Sequence, residues 1–416
     1  MPRRVAVRAL CAFLPLLLLS EIGMFPSIRL ASPHLNGVRD TISASTRAYL
    51  SHLEQLYGLD DPYAVAVTAW KEFRIFPLSF ARSETKWEVR PREASLADIY
   101  NDHVALDHLS SNKTKEWAFI IPGDISTYIY GSDETAYING YREAWKAHTW
   151  AKGGVDCNRH LEIIASGTIP IFRGIGSVPA ETLFAYPKRL MAFFEEHKDE
   201  ADPAKLHIWR HLMLKWGHSH LTAPAMVRYM ANVTRVNLDS PQAPLKRVAY
   251  INDHLVMTAD YLAAAILIGL VEWLGYARVD VFYFPDYLIE GNKRESKTGR
   301  ALYGAGFGYA NVLRNPEKAF RRLDEMLASL QNGEYAAVVW GSWHRSKAHF
   351  ADMALPAYVN RREALWLCDG EDGFEGWPYL AEGKLQGKPL HDIATIFVRE
   401  LHNTAPLKAQ SLPGSP

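Results

Sequence analysis

The sequence predicts an α/β protein with two Rossmann-like domains that have parallel sheets. The chain has 416 residues, and domains average about 100–200 residues, so more than one is expected. Short apolar runs typical of strands alternate with longer runs of helical spacing, which indicates βαβ units. A polar stretch with two prolines, at residues 235–246, separates the two halves. We therefore predict an N-terminal segment over residues 1–35, a helix-rich α/β domain over 36–236 and a second Rossmann-like domain over 246–416.

The composition excludes several classes of protein. Hydrophobic residues make up 48% and charged residues 22% of the chain, which is enough for a large core and argues against disorder. Lys plus Arg and Asp plus Glu both number 46, so the net charge is zero. Without a basic excess, the chain lacks the electrostatic signature of a nucleic-acid-binding protein.

The cysteines and the N-terminus bear on location. Three cysteines form neither a disulfide framework nor a zinc-type spacing, which favours a reducing compartment. The apolar run from Ala9 to Leu19 follows basic residues, but it is shorter than the roughly 20 residues of a spanning helix. We expect a cytoplasmic protein, and we leave open a peripheral membrane association or a secretory signal or anchor.

The sequence pattern of the first half of the chain predicts mainly helices. Helical spacing favours helices over residues 46–59, 64–73, 133–150, 177–198, 205–222 and 223–234, with Asp133 as a cap and a break near Pro187. Short apolar runs predict strands over 116–123 and 168–172. Because Pro170 cannot donate to a ladder, it should lie at the start of its strand or on a sheet edge.

The second half has the more regular pattern. Strands are predicted in residues 247–251, 278–284, 335–342 and 362–373, and helices over 259–275 and 315–333. Ligands of parallel sheets bind at the carboxyl ends of strands. Two of these ends supply His344, Arg345, Asp369 and Asp372. Arginine suits a phosphate or carboxylate, and histidine or aspartate suits a catalytic base.

Residues 151–174, AKGGVDCNRHLEIIASGTIPIFRG, concentrate polar groups around one predicted helix. We expect this helix to begin near Asn158, with Asp156 or Asn158 as the cap, and to end at Gly167. Lysine and two glycines before a helix N-terminus are typical of a phosphate site. Glu162, one turn into the helix, could accept hydrogen bonds from two ribose hydroxyls. The spacing equally allows a plain surface ion pair between Arg159 and Glu162.

The segment RHLEIIASGTIPIF resembles the C-terminal domain signature of exostosin-like glycosyltransferases. The whole stretch is more similar to a group of glycosyltransferase-related proteins with the pattern KKGGWDCxRHYEIxAxGCIPYF, from which Val155, Leu161 and Thr168 depart. ADYLAAAILIGLVEWLG, LYGAGFGYANVL, VVWGSWHR and DGED resemble other segments of that group, so the likeness spans about residues 116–375 with gaps.

The resemblance implies a GT-B-like arrangement, in which two Rossmann-like domains flank a cleft and a sugar passes from a nucleotide to an acceptor. It implies a UDP- or GDP-linked donor, a glycan or lipid-linked acceptor, and no metal or other cofactor. The implied roles are ribose binding for Glu162 and phosphate binding for Lys152 or Arg159. The predicted substrate-binding residues are Lys152, Gly153, Gly154, Arg159, His160, Glu162 and Arg345, and His344 and Asp372 are the candidate catalytic residues.

One feature departs from the GT-B pattern. In most GT-B enzymes the ribose-binding glutamate lies in the C-terminal domain, whereas Glu162 lies in the first half of this chain. Two other functions therefore stay open. One is a metal-dependent phosphoesterase that uses His344, Asp369 and Asp372, and the other is a carbohydrate-binding relative without catalytic activity.

Overall fold

The computed structural model describes residues 42–59, 74–101, 113–239, 246–252, 260–281, 285–292, 302–319, 321–345, 356–358, 360–370, 384–385 and 388–401. The helices and strands named below all belong to one compact unit, Ala44–Pro416. Within the described ranges, no helix combines the length and the apolar character needed to cross a bilayer. The apolar run from Ala9 to Leu19 lies outside these ranges.

Eleven strands are described. They are β1 Ile75–Pro77, β2 Lys115–Trp117, β3 Ala144–Thr149, β4 Ile169–Phe172, β5 Val248–Ile251, β6 Val279–Val281, β7 Ala337–Trp340, β8 Leu365–Asp369, β9 Lys384–Leu385, β10 Lys388–Pro389 and β11 Thr395–Val398. Six form a parallel sheet in the order β1-β11-β8-β7-β5-β6, and β2-β3-β4 form a second parallel sheet. β9 and β10 pair in an antiparallel ribbon. The predicted α/β class with two parallel sheets is confirmed.

Within the described residues, ten α-helices accompany the strands. They are α1 Ala44–Leu59, α2 Leu96–Asn101, α3 Glu134–Arg142, α4 Asn158–Ala165, α5 Lys188–Glu196, α6 Pro203–His220, α7 Ala223–Thr234, α8 Tyr261–Leu274, α9 Leu323–Gln331 and α10 Leu390–Ile393. Apolar residues of β5, β7, β8 and β11 pack with α9 and α10 into one core cluster. A smaller cluster joins the segment directly after β2, which contains Ala118 and Ile120, to β3, α3 and α4.

The order in which the chain adds strands to the six-stranded parallel sheet reverses between β5 and β7. From β5 the chain moves to β6 on one side and then to β7, β8 and β11 on the other. Ligands of open parallel sheets bind outside the carboxyl ends of the strands at such a reversal. α8, which follows β5, and the turn Trp343–Arg345, which follows β7, lie at this end.

Several predicted elements differ from the structure. The helix predicted over 133–150 ends at Arg142, and β3 follows as a buried strand in which Lys146 donates to Glu116 Oε1 at 2.8 Å and to the carbonyl oxygens of Lys198 and Glu200. These partners are distant in the sequence, so the local pattern could not show that a lysine is buried.

Three other predicted elements are shorter than expected. The helix predicted over 177–198 begins only at Lys188. The helix predicted over 315–333 begins at Leu323, after a short turn at Pro316–Lys318. The strand predicted over 116–123 is confined to Lys115–Trp117. The helix predicted over 64–73 lies outside the described residues.

β1 and β11 are absent from the prediction, and they pair with each other at one edge of the large sheet. β1 belongs to the range 36–236, yet it extends the sheet of the second half. The boundaries of the two domains, and the cleft of a GT-B arrangement, stay predictions.

Candidate functional site

Helix α4 begins without a side-chain cap. Its N-cap is Cys157, which makes no capping hydrogen bond, so the predicted capping by Asp156 or Asn158 is wrong. Asp156 is engaged elsewhere, because its Oδ2 accepts a hydrogen bond of 2.7 Å from the backbone N–H of Phe80. The first N–H groups of α4 therefore keep the partial positive charge that a helix N-terminus offers to an anion.

The other end of α4 is as predicted. Gly167 has a φ of 68° and donates to the carbonyl of Ile164 at 2.9 Å, while Thr168 donates to that of Ile163 at 3.1 Å. This pair of bonds is the Schellman motif, which turns the chain directly into β4. Pro170 is the second residue of β4, an edge strand, as its missing N–H requires.

A cavity of about 610 Å³ lies at the N-terminus of α4. This volume is in the range of about 300–1,000 Å³ that small-molecule sites occupy. Residues from both halves of the chain line it: Phe80, Tyr128, Tyr130, Gly131, Tyr137, Lys152, Gly153, Gly154, Asp156, Cys157, Asn158, Arg159, Glu162, Tyr261, Gly304, Ala305, Phe307 and Tyr309. Five of the seven predicted substrate-binding residues are among them.

Two cations, Lys152 and Arg159, lie on one side of the cavity. The Lys152 ammonium is 5.8 Å from the ring centre of Tyr128, and Arg159 Nη2 is 3.4 Å from the hydroxyl of the same tyrosine. Arg159 Nη1 is buried and has no hydrogen-bond partner among the described residues. A buried guanidinium nitrogen without an acceptor is unfavourable unless an anionic ligand supplies one.

Glu162 is almost fully buried, with 6% of its surface exposed. Its Oε2 accepts a hydrogen bond of 2.6 Å from the Tyr137 hydroxyl. Burial raises the pKa of Glu162, against the attraction of the Arg82 guanidinium and the hydrogen bond from Tyr137. The described contacts include no ion pair between Arg159 and Glu162, so the alternative of a surface ion pair does not describe this site.

His160 is buried and is not among the residues that line the cavity. Its Nε2 donates to the carbonyl oxygen of Val155 at 2.8 Å, and its Nδ1 is 2.8 Å from the Thr149 hydroxyl. Because a carbonyl can only accept, Nε2 carries the proton. Burial lowers the pKa of His160, so the neutral ring accepts from Thr149 at Nδ1. This predicted substrate-binding residue fixes the loop before α4 against β3 and does not line the cavity.

Four aromatic side chains from other parts of the chain also line the cavity and are here called the aromatic wall: Phe80, Tyr261, Phe307 and Tyr309. The Tyr261 ring lies 4.6 Å from that of Tyr309 and 6.3 Å from that of Phe80, and the Phe307 ring lies 5.0 Å from that of Tyr137. Ala305, with a φ of 54°, presents a strained backbone beside them, a feature common at binding sites.

Gly308 connects the loop that carries Phe307 and Tyr309 to α3. The N–H of Gly308 donates to Glu134 Oε1 at 2.9 Å, and a Cβ at Gly308 would overlap the Arg82 guanidinium. Glu134 also pairs with Lys86 at 3.1 Å. The loop around residues 304–309 is therefore held against α3 by a hydrogen bond as well as by a ring contact.

The predicted site residues of the second half are Arg345, His344, Asp369 and Asp372, and none of those that the structure describes is among the lining residues named above. Arg345 Nη1 is 3.9 Å from Asp260 Oδ2, and Arg345 is not among the residues that line the cavity. His344 lies in the turn Trp343–Arg345 after β7, and Asp372 lies outside the described residues. Asp369 ends β8 and is buried. In the part of the chain that the structure describes, no group of three metal-ligating side chains is present.

Sequence reasoning missed the carboxyl and phenol groups that complete the cavity, above all Asp156 and Tyr137. Asp156 was visible in the motif, but only as a helix cap. Tyr137 lies on a predicted helix at a spacing that indicates core packing. Tyr137 and Glu162 lie on α3 and α4, the helices that precede β3 and β4. The pairing of β3 with β4 brings these helices together, and the sequence pattern did not predict β3 as a strand.

No family model, curated protein or solved structure matches the chain.

Proposed function

We propose that the chain is a glycosyltransferase-like enzyme, which binds a nucleotide sugar in the cavity at the N-terminus of α4 and transfers the sugar to an acceptor. One observation carries the proposal. The cavity brings together the uncapped helix N-terminus, Lys152, the buried unpartnered Nη1 of Arg159, and Glu162. These groups are the complement of a diphosphate joined to a ribose.

The diphosphate would lie against the N-terminus of α4. The free N–H groups of the helix and the backbone of Gly153 and Gly154 can approach phosphate oxygens closely. Arg159 and Lys152 supply positive charge, and the burial of Arg159 Nη1 makes its charge-assisted hydrogen bond stronger than one at the surface. The same groups would stabilise the negative charge that builds up on the departing nucleoside diphosphate.

The ribose would lie on Glu162. Tyr137 occupies Oε2 of the carboxylate, and the other oxygen is left to accept hydrogen bonds from the ligand. The aromatic wall suits the faces of a sugar ring or a base, since such ligands stack on aromatic side chains. The resemblance to exostosin-like glycosyltransferases assigns the same role to this glutamate, which adds to the physical argument.

The test is calorimetric titration of the wild-type chain with UDP and with GDP. Binding of one of them, weakened about 10- to 100-fold by Glu162→Ala, is expected because a charge-assisted hydrogen bond contributes about 1.5–3 kcal/mol. Glu196→Ala is the matched control, since it removes an exposed carboxylate from α5 and should leave the affinity unchanged. A wild-type chain that binds neither nucleotide would refute the proposal at its first step.

A further inference from the structure

Asp156 is the most deeply buried carboxyl group that lines the cavity, with 1% of its surface exposed. Its Oδ2 is held by the backbone N–H of Phe80 at 2.7 Å, whereas its Oδ1 has no hydrogen-bond partner among the described residues. A buried carboxylate oxygen without a donor costs about 1–3 kcal/mol or more. Such a group in a native structure calls for a missing partner.

The backbone of Asp156 is clamped on both sides. Its N–H donates to Glu400 Oε1 at 2.9 Å, and its carbonyl accepts from Arg399 Nη1 at 2.5 Å. Arg399 and Glu400 follow β11 directly and are themselves buried and paired at 2.8 Å. Arg399 Nε also donates to the carbonyl of Gly370, after β8. The carboxyl end of the large sheet thus fixes the orientation of this side chain, as a pre-organised site requires.

The surroundings raise the pKa of this carboxyl towards the neutral range. Burial raises the pKa of Asp156 from 3.8 to about 6, and Arg399, the Phe80 N–H and His160 oppose the rise while Glu400 adds to it. The thiol of Cys157 and the phenol of Tyr186, whose pKa values are raised by burial, are uncharged neighbours at neutral pH. A group of this kind changes its protonation in the range in which general bases work best.

We propose that Asp156 is the catalytic base, which accepts at Oδ1 the proton of the acceptor hydroxyl. This inference rests on the proposed function. As the acceptor oxygen forms its bond to the anomeric carbon, its proton passes to Asp156. The bond from the anomeric carbon to the diphosphate oxygen breaks, and its electron pair leaves with the nucleoside diphosphate. The displacement inverts the configuration of the sugar, and the protonated carboxyl later returns its proton to water.

The position of Asp156 fits this role. It lies two residues before α4, so the leaving diphosphate and the base share one loop. Phe80, whose N–H holds Oδ2, presents its ring to Tyr261 on the aromatic wall. The acceptor would therefore enter along Phe80 and Tyr261.

The experiment uses hydrolysis, in which water replaces the acceptor. The full chain is incubated with UDP-glucose, UDP-N-acetylglucosamine, GDP-mannose and GDP-fucose, and the released nucleoside diphosphate is measured. With the best donor, Asp156→Asn should lower kcat by at least about 100-fold, because a positioned base contributes about 10²–10⁴. Its affinity for the nucleoside diphosphate should stay within about twofold of the wild type, whereas Glu162→Gln should weaken that affinity.

The pH profile gives a second readout that a purely structural role would not change. In the wild type kcat should rise with pH through about 6, as Asp156 loses its proton, and this rise should vanish in Asp156→Asn. A folded Asp156→Asn that keeps the wild-type kcat and pH profile overturns the assignment. A wild type that binds the nucleotide but hydrolyses none of the donors also overturns it, while nucleotide binding stands. Absence of nucleotide binding overturns the proposed function instead.

Discussion

Replacing Asp156 by asparagine should stabilise the protein at neutral pH while removing its activity. Burial raises the pKa of Asp156 from 3.8 to about 6. The group is ionised at pH 7.5 in both the folded and the unfolded chain, but ionisation costs more free energy in the folded chain because the carboxylate is buried there. A rise of about two pKa units corresponds to about 3 kcal/mol. Asparagine, which carries no charge, should therefore stabilise the fold by up to about 3 kcal/mol at pH 7.5.

The sign of the pH dependence follows from the raised pKa. Between pH 4 and 6 the folded chain holds a proton that the unfolded chain has released, so wild-type stability falls as the pH rises through this window. The advantage of asparagine should shrink to about 1 kcal/mol at pH 4.5 and should disappear at lower pH. The carboxamide oxygen can still accept the hydrogen bond from Phe80, so the geometry is preserved.

Urea denaturation at pH 7.5 and at pH 4.5, followed by circular dichroism, measures the difference between Asp156→Asn and the wild type. The expected result is a higher midpoint for the variant, by a margin that is larger at pH 7.5. A variant that is less stable than the wild type at both values would refute the reasoning, because it would show that Asp156 is held as a favourable ionised partner of Arg399.

Three further substitutions test other contacts of the site. Gly308→Ala should lower the free energy of unfolding by about 1–3 kcal/mol more than Gly291→Ala does, as measured by urea denaturation. Both glycines have a positive φ, but only a Cβ at position 308 would overlap the Arg82 guanidinium. Equal losses of stability in the two variants would show that this overlap does not matter. Tyr137→Phe removes the hydrogen-bond donor to Glu162 Oε2 and should lower the free energy of unfolding by about 1–3 kcal/mol. The loss of stability should be larger at pH 8 than at pH 5, because the substitution raises the pKa of Glu162 further. Glu400→Gln removes a negative charge bonded to a buried arginine and should lower the free energy of unfolding by about 3–5 kcal/mol; a change below 1 kcal/mol would show that the pair is dispensable.

The sequence carried most information where structure is local. The bounds of α4, its glycine stop and the edge position of Pro170 follow from amphipathic spacing and from the backbone rules for glycine and proline. The alternation of apolar strand-like runs with helical runs after residue 246 predicted a parallel sheet. The individual helices and strands follow from residues close together in the chain, although the pairing of the strands does not.

The sequence carried least where distant residues decide. β1 and β11 are strands of three and four residues. β1 pairs with β11 across more than 300 positions, and β11 also pairs with β8. Asp156 has the residue type of a helix cap, but the N–H of Phe80 competes for its oxygen. The buried Lys146 gave β3 the appearance of a helix surface. Tertiary partners override local preference at each of these places.

The candidate site shows the same division. The motif around α4 led to five residues that line the cavity, because a phosphate-binding helix start is a local feature. The aromatic wall from Phe80, Tyr261 and the loop around Phe307 comes from distant parts of the chain. The candidates at strand ends of the second half were inferred from the general rule for parallel sheets, and Arg345 lies beside Asp260 and not at the cavity.

Nucleotide binding at α4 can be observed directly in a crystal of the protein soaked with the nucleoside diphosphate that binds in calorimetry. We expect the diphosphate to lie against the N-terminus of α4, with a phosphate oxygen within hydrogen-bond distance of Arg159 Nη1 and the ribose hydroxyls on Glu162. A nucleotide bound elsewhere on the molecule, with this cavity left empty, would rule out the proposed site.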